Sequence, residues 1–165
     1  FDNKATLAAE VFRVATEREV EAVARALSGP GGAGARLEQA LRVFAGRAMA
    51  APKLAWALIA EPVEPEVDAE RLHYRAMYAA LYRDVLDHGV ASGELPPQAT
   101  APSAAALVGA VAEALVGPLA APLADAALPD QMVAFCLRAV GATPSQSRQP
   151  QQNTTTGAVG AGGQS

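Results

Sequence analysis

The chain has 165 residues, of which 51% are hydrophobic and only 5% aromatic, enough apolar material for one domain with its own core. Its net charge of −4 and its two lysines, Lys4 and Lys53, exclude DNA binding through an overall positive field, so any nucleic-acid contact is local or made by a part outside this chain. The single cysteine, Cys136, excludes an internal disulfide, and we expect a buried structural thiol in an intracellular protein.

The first half of the chain predicts three helices separated by glycine and proline. An amphipathic helix is expected over residues 3–27, and "SGPGGAG" ends it. A second helix is expected over residues 35–50, with an apolar stripe of Leu37, Leu41, Phe44 and Ala48. Pro52 ends that helix, and a short helix, "KLAWALIA", precedes the acidic, proline-punctuated turn "EPVEPEVD".

The third long segment predicts a helix over residues 68–91, with Asp68 as its N-cap and Gly89 or Gly93 near its end. At 100° per residue, one arc about 100° wide contains Tyr74, Met77, Tyr78, Leu81 and Val85. A second arc contains Leu72, Ala76, Ala79 and Leu86. A helix that is apolar on more than one side packs on more than one side, so we predict that this is the central helix.

Two apolar helices are expected near the end, over residues 103–117 and 129–140. The first has the most membrane-like composition of the chain, but Glu113 interrupts it and Pro118 and Pro122 follow. Its uninterrupted apolar part is shorter than the ~20 residues that a bilayer requires. A buried or interface helix is therefore predicted, and no membrane association.

No segment alternates between apolar and polar residues as a strand does, and no internal repeat is evident. The prediction is an all-α domain of five to six helices. Residues 143–165, "TPSQSRQPQQNTTTGAVGAGGQS", are almost devoid of bulky apolar side chains and are expected to form a disordered, low-complexity tail.

The opening "FDNKATL" resembles the junction in TetR-family transcriptional regulators, where the end of a helix-turn-helix motif leads into a long connector helix. The stretch "KLAWALIAEPVEPEVDAERLHYRAMYAALYRDVLDHGVASGEL" is similar to effector domains of that family. The resemblance covers residues 1–142. It implies that residues 1–4 are the last turn of a DNA-binding domain whose bulk is missing here, and that residues 5–142 form the ligand-binding and dimerisation domain.

The resemblance also implies a ligand pocket, and the aromatic arc of the third segment is its best candidate wall. The expected ligand-binding residues are Phe44, Met49, Trp56, Tyr74, Met77, Tyr78, Leu81 and Glu113. The alternative for the apolar members is that they simply form the core. Glu113 is the only charge between Ser103 and Asp125, and it either meets a ligand, pairs with Arg47 or Arg75, or lies at the rim in water.

The same resemblance implies a homodimer formed by the last two helices, where small residues allow close approach of helix backbones. The expected interface residues are Leu107, Val108, Val111, Ala112, Leu115, Met132 and Phe135. Burial inside one protomer is the alternative. Lys4 corresponds to a family lysine that contacts a DNA phosphate, and otherwise it is a solvated surface residue.

The function expected from this resemblance is a cytoplasmic bacterial transcriptional regulator, most often a repressor, that a small apolar effector releases from operator DNA. This chain alone is not expected to read DNA sequence, because the recognition helix is not in it. A stand-alone helical binding protein is the alternative, against which the abrupt "FDNK" start argues. An enzyme is not expected, because HExxH, GxSxG, P-loop and CxxC motifs are absent from the sequence. No cofactor or metal is expected either, since His73 and His88 lie more than about 20 Å apart along one helix.

Overall fold

A computed structural model describes residues 4–120 and 125–144 of the chain, and within these ranges it contains six helices and no strand. The helices are α1 (Lys4–Leu27), α2 (Ala33–Ala50), α3 (Pro52–Ile59), α4 (Pro65–Ala91), α5 (Thr100–Ala120) and α6 (Leu128–Ala139). The prediction of an all-α chain with five to six helices is confirmed. The predicted first turn before Lys4 and all but two residues of the predicted tail lie outside the described ranges.

Proline explains where α4 begins. Its N-cap is Glu64 and Pro65 occupies the first turn, three residues before the predicted cap at Asp68. The fixed φ of proline suits this position, where the missing amide has no helical partner in any case. Glu66 and Asp68 both lie in the first turn, where a negative charge interacts favourably with the helix dipole.

The helix α5 is six residues longer than predicted, three at each end. It runs through Pro118 and ends two residues later. Within the described residues, α5 is the one helix long and apolar enough to cross a membrane, and 33% of its most apolar stretch is buried against the rest of the protein. That length and composition are shared by membrane spans and by core helices of soluble proteins.

The centre of the fold is α2. It packs against each of the other five helices, whereas the main partners of α4 are α1, α5 and α2. Leu37, Ala40, Leu41 and Ala45 of α2 have no exposed surface. α4 packs on more than one side, as predicted, although α2 contacts more of the helices. Small alanines on α2 let neighbouring helices approach it from several sides, and a search for bulky apolar arcs does not detect that feature.

The segment after α4 returns the chain to the start of α2. Gly93 adopts a left-handed conformation with φ of +76°, and the Leu95 amide donates to the Gly89 carbonyl oxygen at 2.9 Å. This turn places the Glu94 carboxylate against the first amides of α2, where it accepts hydrogen bonds from Ala33 N at 2.6 Å and Gly34 N at 2.8 Å. The "GVASGEL" stretch therefore clamps the end of α4 to the central helix.

Candidate ligand cavity

A partly open cavity of about 90 Å³ lies between the first five helices. Its wall is predominantly apolar. α1 contributes Phe12, Thr16 and Glu19; α2 contributes Phe44, Arg47 and Ala48; α3 with its preceding residue contributes Ala51, Leu54, Ala55, Leu58 and Ile59; α4 contributes Arg71, Tyr74, Arg75, Tyr78 and Tyr82; and α5 contributes Val108, Val111 and Ala112. An apolar cavity with a few polar groups is the usual form of a small-molecule site.

The cavity collects most of the aromatic side chains in the protein. Five of the eight aromatic residues (four Phe, three Tyr, one Trp) line it, including all three tyrosines. The rings of Phe44 and Tyr78 pack edge to face, with centroids 5.6 Å apart and planes at 86°. The rings of Phe12 and Tyr74 are 6.5 Å apart and tilted by 45°. Such rings provide rigid walls that complement a flat, apolar ligand.

On α4 each cavity side chain lies three or four residues from at least one other, which places them on one face: Arg71, Tyr74, Arg75, Tyr78 and Tyr82. This face is rotated by about 60° from the predicted arc at 100° per residue. Tyr74 and Tyr78 belong to both. Tyr82 was not predicted, although its position four residues after Tyr78 is the periodic signal that could have identified it. The prediction followed the bulky apolar residues and so excluded the two arginines.

The three tyrosine hydroxyls differ in their partners. The Tyr74 hydroxyl donates to the Arg13 carbonyl oxygen at 3.3 Å, linking α4 to α1. Within the described residues the Tyr78 and Tyr82 hydroxyls make no hydrogen bond. Burial raises the pKa of both phenols above the usual value, so both remain protonated at neutral pH and can donate a hydrogen bond to a ligand.

The one carboxylate on the cavity wall is already paired. Glu19 of α1 accepts two hydrogen bonds from Arg47 of α2, from Nε at 2.5 Å and from Nη2 at 2.8 Å. This bidentate contact raises the pKa of the Arg47 guanidinium and joins α1 to α2 beside the cavity. Neither charge of this pair is left to bind a ligand without first breaking the pair.

The two arginines of α4 that line the cavity have different surroundings. Arg71 donates to the carbonyl oxygens of Ala57, Leu58 and Glu61 at 3.2, 3.1 and 2.8 Å, and thereby fastens the end of α3 to α4. Its guanidinium also lies 5.8 Å from the ring centroid of Phe12. Arg75, one turn further along α4, makes no hydrogen bond or ion pair with any described residue.

The structure brings together some of the predicted ligand-binding residues and separates others. Phe44, Tyr74 and Tyr78 line the cavity. Partly buried residues that pack on the core without lining the cavity are Met49, Trp56 and Leu81. Met77 is 38% exposed and Glu113 is also exposed, and neither lines the cavity. Glu113 makes no ion pair with a described residue, and this agrees with the alternative that it lies at the rim of the helix, in water.

The residues predicted to form the dimer interface also divide. Val108, Val111 and Ala112 line the cavity on the inner side of α5. Leu107, Leu115 and Met132 are buried within the chain itself, while Phe135 of α6 is 55% exposed. Lys4 is exposed at the first residue of α1. The roles assigned to these residues in dimerisation and DNA contact stay predictions.

No group of three or more His, Cys, Asp or Glu side chains is arranged to hold a metal ion within residues 4–120 and 125–144. No protein-family model, curated protein or solved structure matches this chain. Its architecture is an all-helical domain with an aromatic-lined cavity between five helices.

Proposed function

We propose that this chain is the effector-binding and dimerisation part of a ligand-responsive transcriptional regulator of TetR type. Most regulators of that type are repressors, and we propose the same role here. The observation that carries the proposal is the apolar cavity whose wall includes the middle of α1. A molecule in the cavity would contact the same helix that, in such a regulator, leads to the DNA-binding head. Binding and DNA release would then be coupled through one rigid element.

The proposed coupling follows from the length of α1. It has 24 residues and is about 36 Å long at 1.5 Å per residue. Phe12, Thr16 and Glu19 meet the cavity, and the first residue of the helix lies about 12 Å beyond Phe12. A shift or rotation of α1 at the cavity would therefore displace anything attached before Lys4. By linkage, ligand and DNA would weaken each other by the same coupling free energy.

The exposed surface of α1 supports the presence of a further domain in the working protein. Leu7, Val11 and Val14 are 44%, 61% and 40% exposed and recur at helical spacing along the first three turns. An apolar stripe on a helix is typical of a face that packs against another element. In the proposed regulator this element is the DNA-binding head, and Lys4 at the same end contacts a phosphate.

The outer faces of α5 and α6 support a homodimer. On α5, Ala105, Gly109 and Gly117 are exposed around Glu113, and this smooth face allows another helix to approach closely. On α6, Phe135 is a large exposed apolar side chain. Two copies that pair through these faces would cover the apolar surface of α5, which is why we propose a soluble dimer rather than a membrane span for this helix.

A stand-alone small-molecule-binding protein is the second candidate. The cavity alone favours it, because ligand binding there needs no second domain. It differs from the first candidate in one respect that is directly measurable. The regulator binds DNA in its native length, whereas the stand-alone protein does not. Both candidates are binding proteins, and catalysis is part of neither.

The deciding experiment uses the protein as it occurs in its own cells. Its intact mass establishes whether a segment precedes Phe1, and selection of genomic DNA fragments by the purified native protein tests operator binding. We expect an upstream basic segment and binding of a small set of fragments, with an affinity that falls steeply with salt. A native protein that selects no fragment above a non-binding control would refute the regulator and leave the stand-alone candidate.

A further inference from the structure

Arg75 is the one cavity arginine whose donors are unused within the described residues. Arg47 is committed to Glu19 by two hydrogen bonds, and Arg71 is committed to three backbone carbonyl oxygens. Arg75 also lines the cavity from α4 and has no such partner. A guanidinium always carries its charge and presents a planar set of donors that fits a carboxylate with two hydrogen bonds.

The charges around the cavity favour an anion. The wall includes three arginines, Arg47, Arg71 and Arg75, and one carboxylate, Glu19. Because Glu19 is neutralised by Arg47, a ligand at the cavity mouth meets an uncompensated positive charge at Arg75 and no unpaired negative side chain of the wall. Arg75 is exposed, so solvent screens part of this attraction, and the paired hydrogen bonds that a guanidinium donates to a carboxylate contribute the rest.

The interior of the cavity favours an aromatic ring. Phe44, Tyr78 and Tyr82 provide ring surfaces, and Val108 and Val111 close the opposite side on α5. Arg75 and Tyr82 are seven residues apart on α4, about 10 Å along the helix, and Arg75 is exposed whereas Tyr82 is buried. A molecule with a charged group at one end and a flat apolar body matches that order.

The size of the cavity limits the ligand to one ring. An enclosed cavity of roughly 150 Å³ binds benzene, so this partly open cavity of about 90 Å³ encloses at most one ring. A benzoate meets that limit when its ring is enclosed and its carboxylate lies in the opening. Larger fused-ring ligands exceed it unless the helices separate.

We propose that the cavity binds a monocyclic aromatic carboxylate, with its ring among Phe44, Tyr78 and Val111 and its carboxylate held by Arg75. This inference rests on the cavity's being a ligand site, as in the proposed function. It adds the chemical class of the effector. The unpartnered hydroxyls of Tyr78 and Tyr82 are hydrogen-bond donors for a further oxygen substituent on the ring.

The test compares benzoate with benzamide, its neutral analogue of nearly the same shape, by isothermal titration calorimetry. Three forms of the whole chain are titrated: the wild type, Arg75→Met and Arg83→Met. Arg83 is the matched control, because it is an exposed arginine on the same helix that does not line the cavity. Methionine keeps the apolar stem of arginine and removes the charge.

We expect the wild type to bind benzoate at least about tenfold more tightly than benzamide, as one charge-assisted contact implies. Arg75→Met should weaken benzoate binding by about tenfold and leave benzamide binding within twofold, while Arg83→Met changes neither. Val108→Phe, which places a ring in the cavity, should abolish binding of both compounds. Its melting temperature verifies that this variant is folded.

Two results would overturn the inference. Equal binding of benzoate and benzamide, with no effect of Arg75→Met, would show that the cavity takes neutral ligands and leave the proposed function intact. Binding of neither compound to the wild type would exclude this ligand class. Failure of the proposed function itself is distinguishable, because it appears as absence of DNA selection by the native protein and does not depend on either compound.

Discussion

Replacing Glu94 tests the clamp that joins the end of α4 to the central helix. Its carboxylate accepts hydrogen bonds from the first-turn amides of Ala33 and Gly34, sixty-one and sixty residues away in the chain. Loss of a side-chain cap costs about 0.5–2 kcal/mol, and a carboxylate at a helix start adds about 0.3–1 kcal/mol through the dipole. We therefore expect Glu94→Ala to lower the free energy of unfolding by about 2 kcal/mol.

The assay is urea unfolding followed by circular dichroism at 222 nm, with thermal unfolding in parallel. For a chain of this size the expected loss corresponds to a fall in melting temperature of about 4–8 °C. Glu94→Gln keeps one acceptor oxygen and should lose about half as much. The control is Glu61→Ala, since the Glu61 side chain is exposed and only its backbone carbonyl accepts a bond from Arg71.

Gly32 provides an independent check of the same contact. A Cβ at this position would overlap the Glu94 carboxylate, so Gly32→Ala should displace the carboxylate and destabilise the protein. The additional loss should be smaller in the Glu94→Ala background, because the overlap no longer exists there. A Glu94→Ala variant within about 0.5 kcal/mol of wild type, or equal to Glu61→Ala, would refute the reasoning, because solvent would then satisfy those amides equally well.

Three further outcomes are expected. Gly89→Ala should lower the free energy of unfolding in urea by about 1–3 kcal/mol, because the new methyl group would lie 2.6 Å from Leu95 Cδ1. An unchanged free energy of unfolding would show that the turn after α4 rearranges without cost. Burial raises the pKa of the Cys136 thiol from 9.0 to about 11, so alkylation by iodoacetamide at pH 8 should be at least about 100-fold slower in folded than in urea-unfolded protein, and equal rates would contradict burial. The same raised pKa means that this thiol contributes a loss of stability as the pH rises from about 9 to 11, since the unfolded thiol loses its proton first. Phe135→Asp should convert the expected dimer to a monomer in sedimentation equilibrium, whereas Leu72→Asp, an equally exposed change on α4, should leave the dimer intact; a wild-type monomer would contradict the proposed assembly.

The local features of this chain could be predicted from sequence because local physics determines them. Helix number, the break at "SGPGGAG", the short helix after Pro52 and the buried position of Cys136 all follow from periodicity, glycine, proline and apolar runs. Helix ends were less accurate where proline was taken as a stop. Pro65 opens α4, because the first turn needs no amide donor at that position, and α5 continues for two residues past Pro118.

Which face of α4 meets the cavity was decided only by tertiary packing. The helical wheel identified two arcs of apolar residues, and two members of the first arc, Tyr74 and Tyr78, lie on the cavity face. Because the arcs were drawn from apolar residues only, they contain no arginine. In the fold, Arg71, Arg75 and Tyr82 are also part of the cavity wall. The Arg71 guanidinium is held by three backbone carbonyl oxygens, whereas Arg75 has no bonded partner among the described residues. Local periodicity has no information on which neighbour covers a face, so it could not orient the helix.

The contacts between residues that are distant in sequence are the features that only the tertiary structure determines. The sequence alone determines an Ala-rich, all-helical domain whose helices end where glycine and proline interrupt an apolar pattern. Only the tertiary structure places α2 at the centre, brings Glu94 to the amides of Ala33 and Gly34, and pairs Glu19 with Arg47. These contacts join residues up to sixty-one positions apart, and their formation depends on the packing of all the helices between them rather than on any local preference.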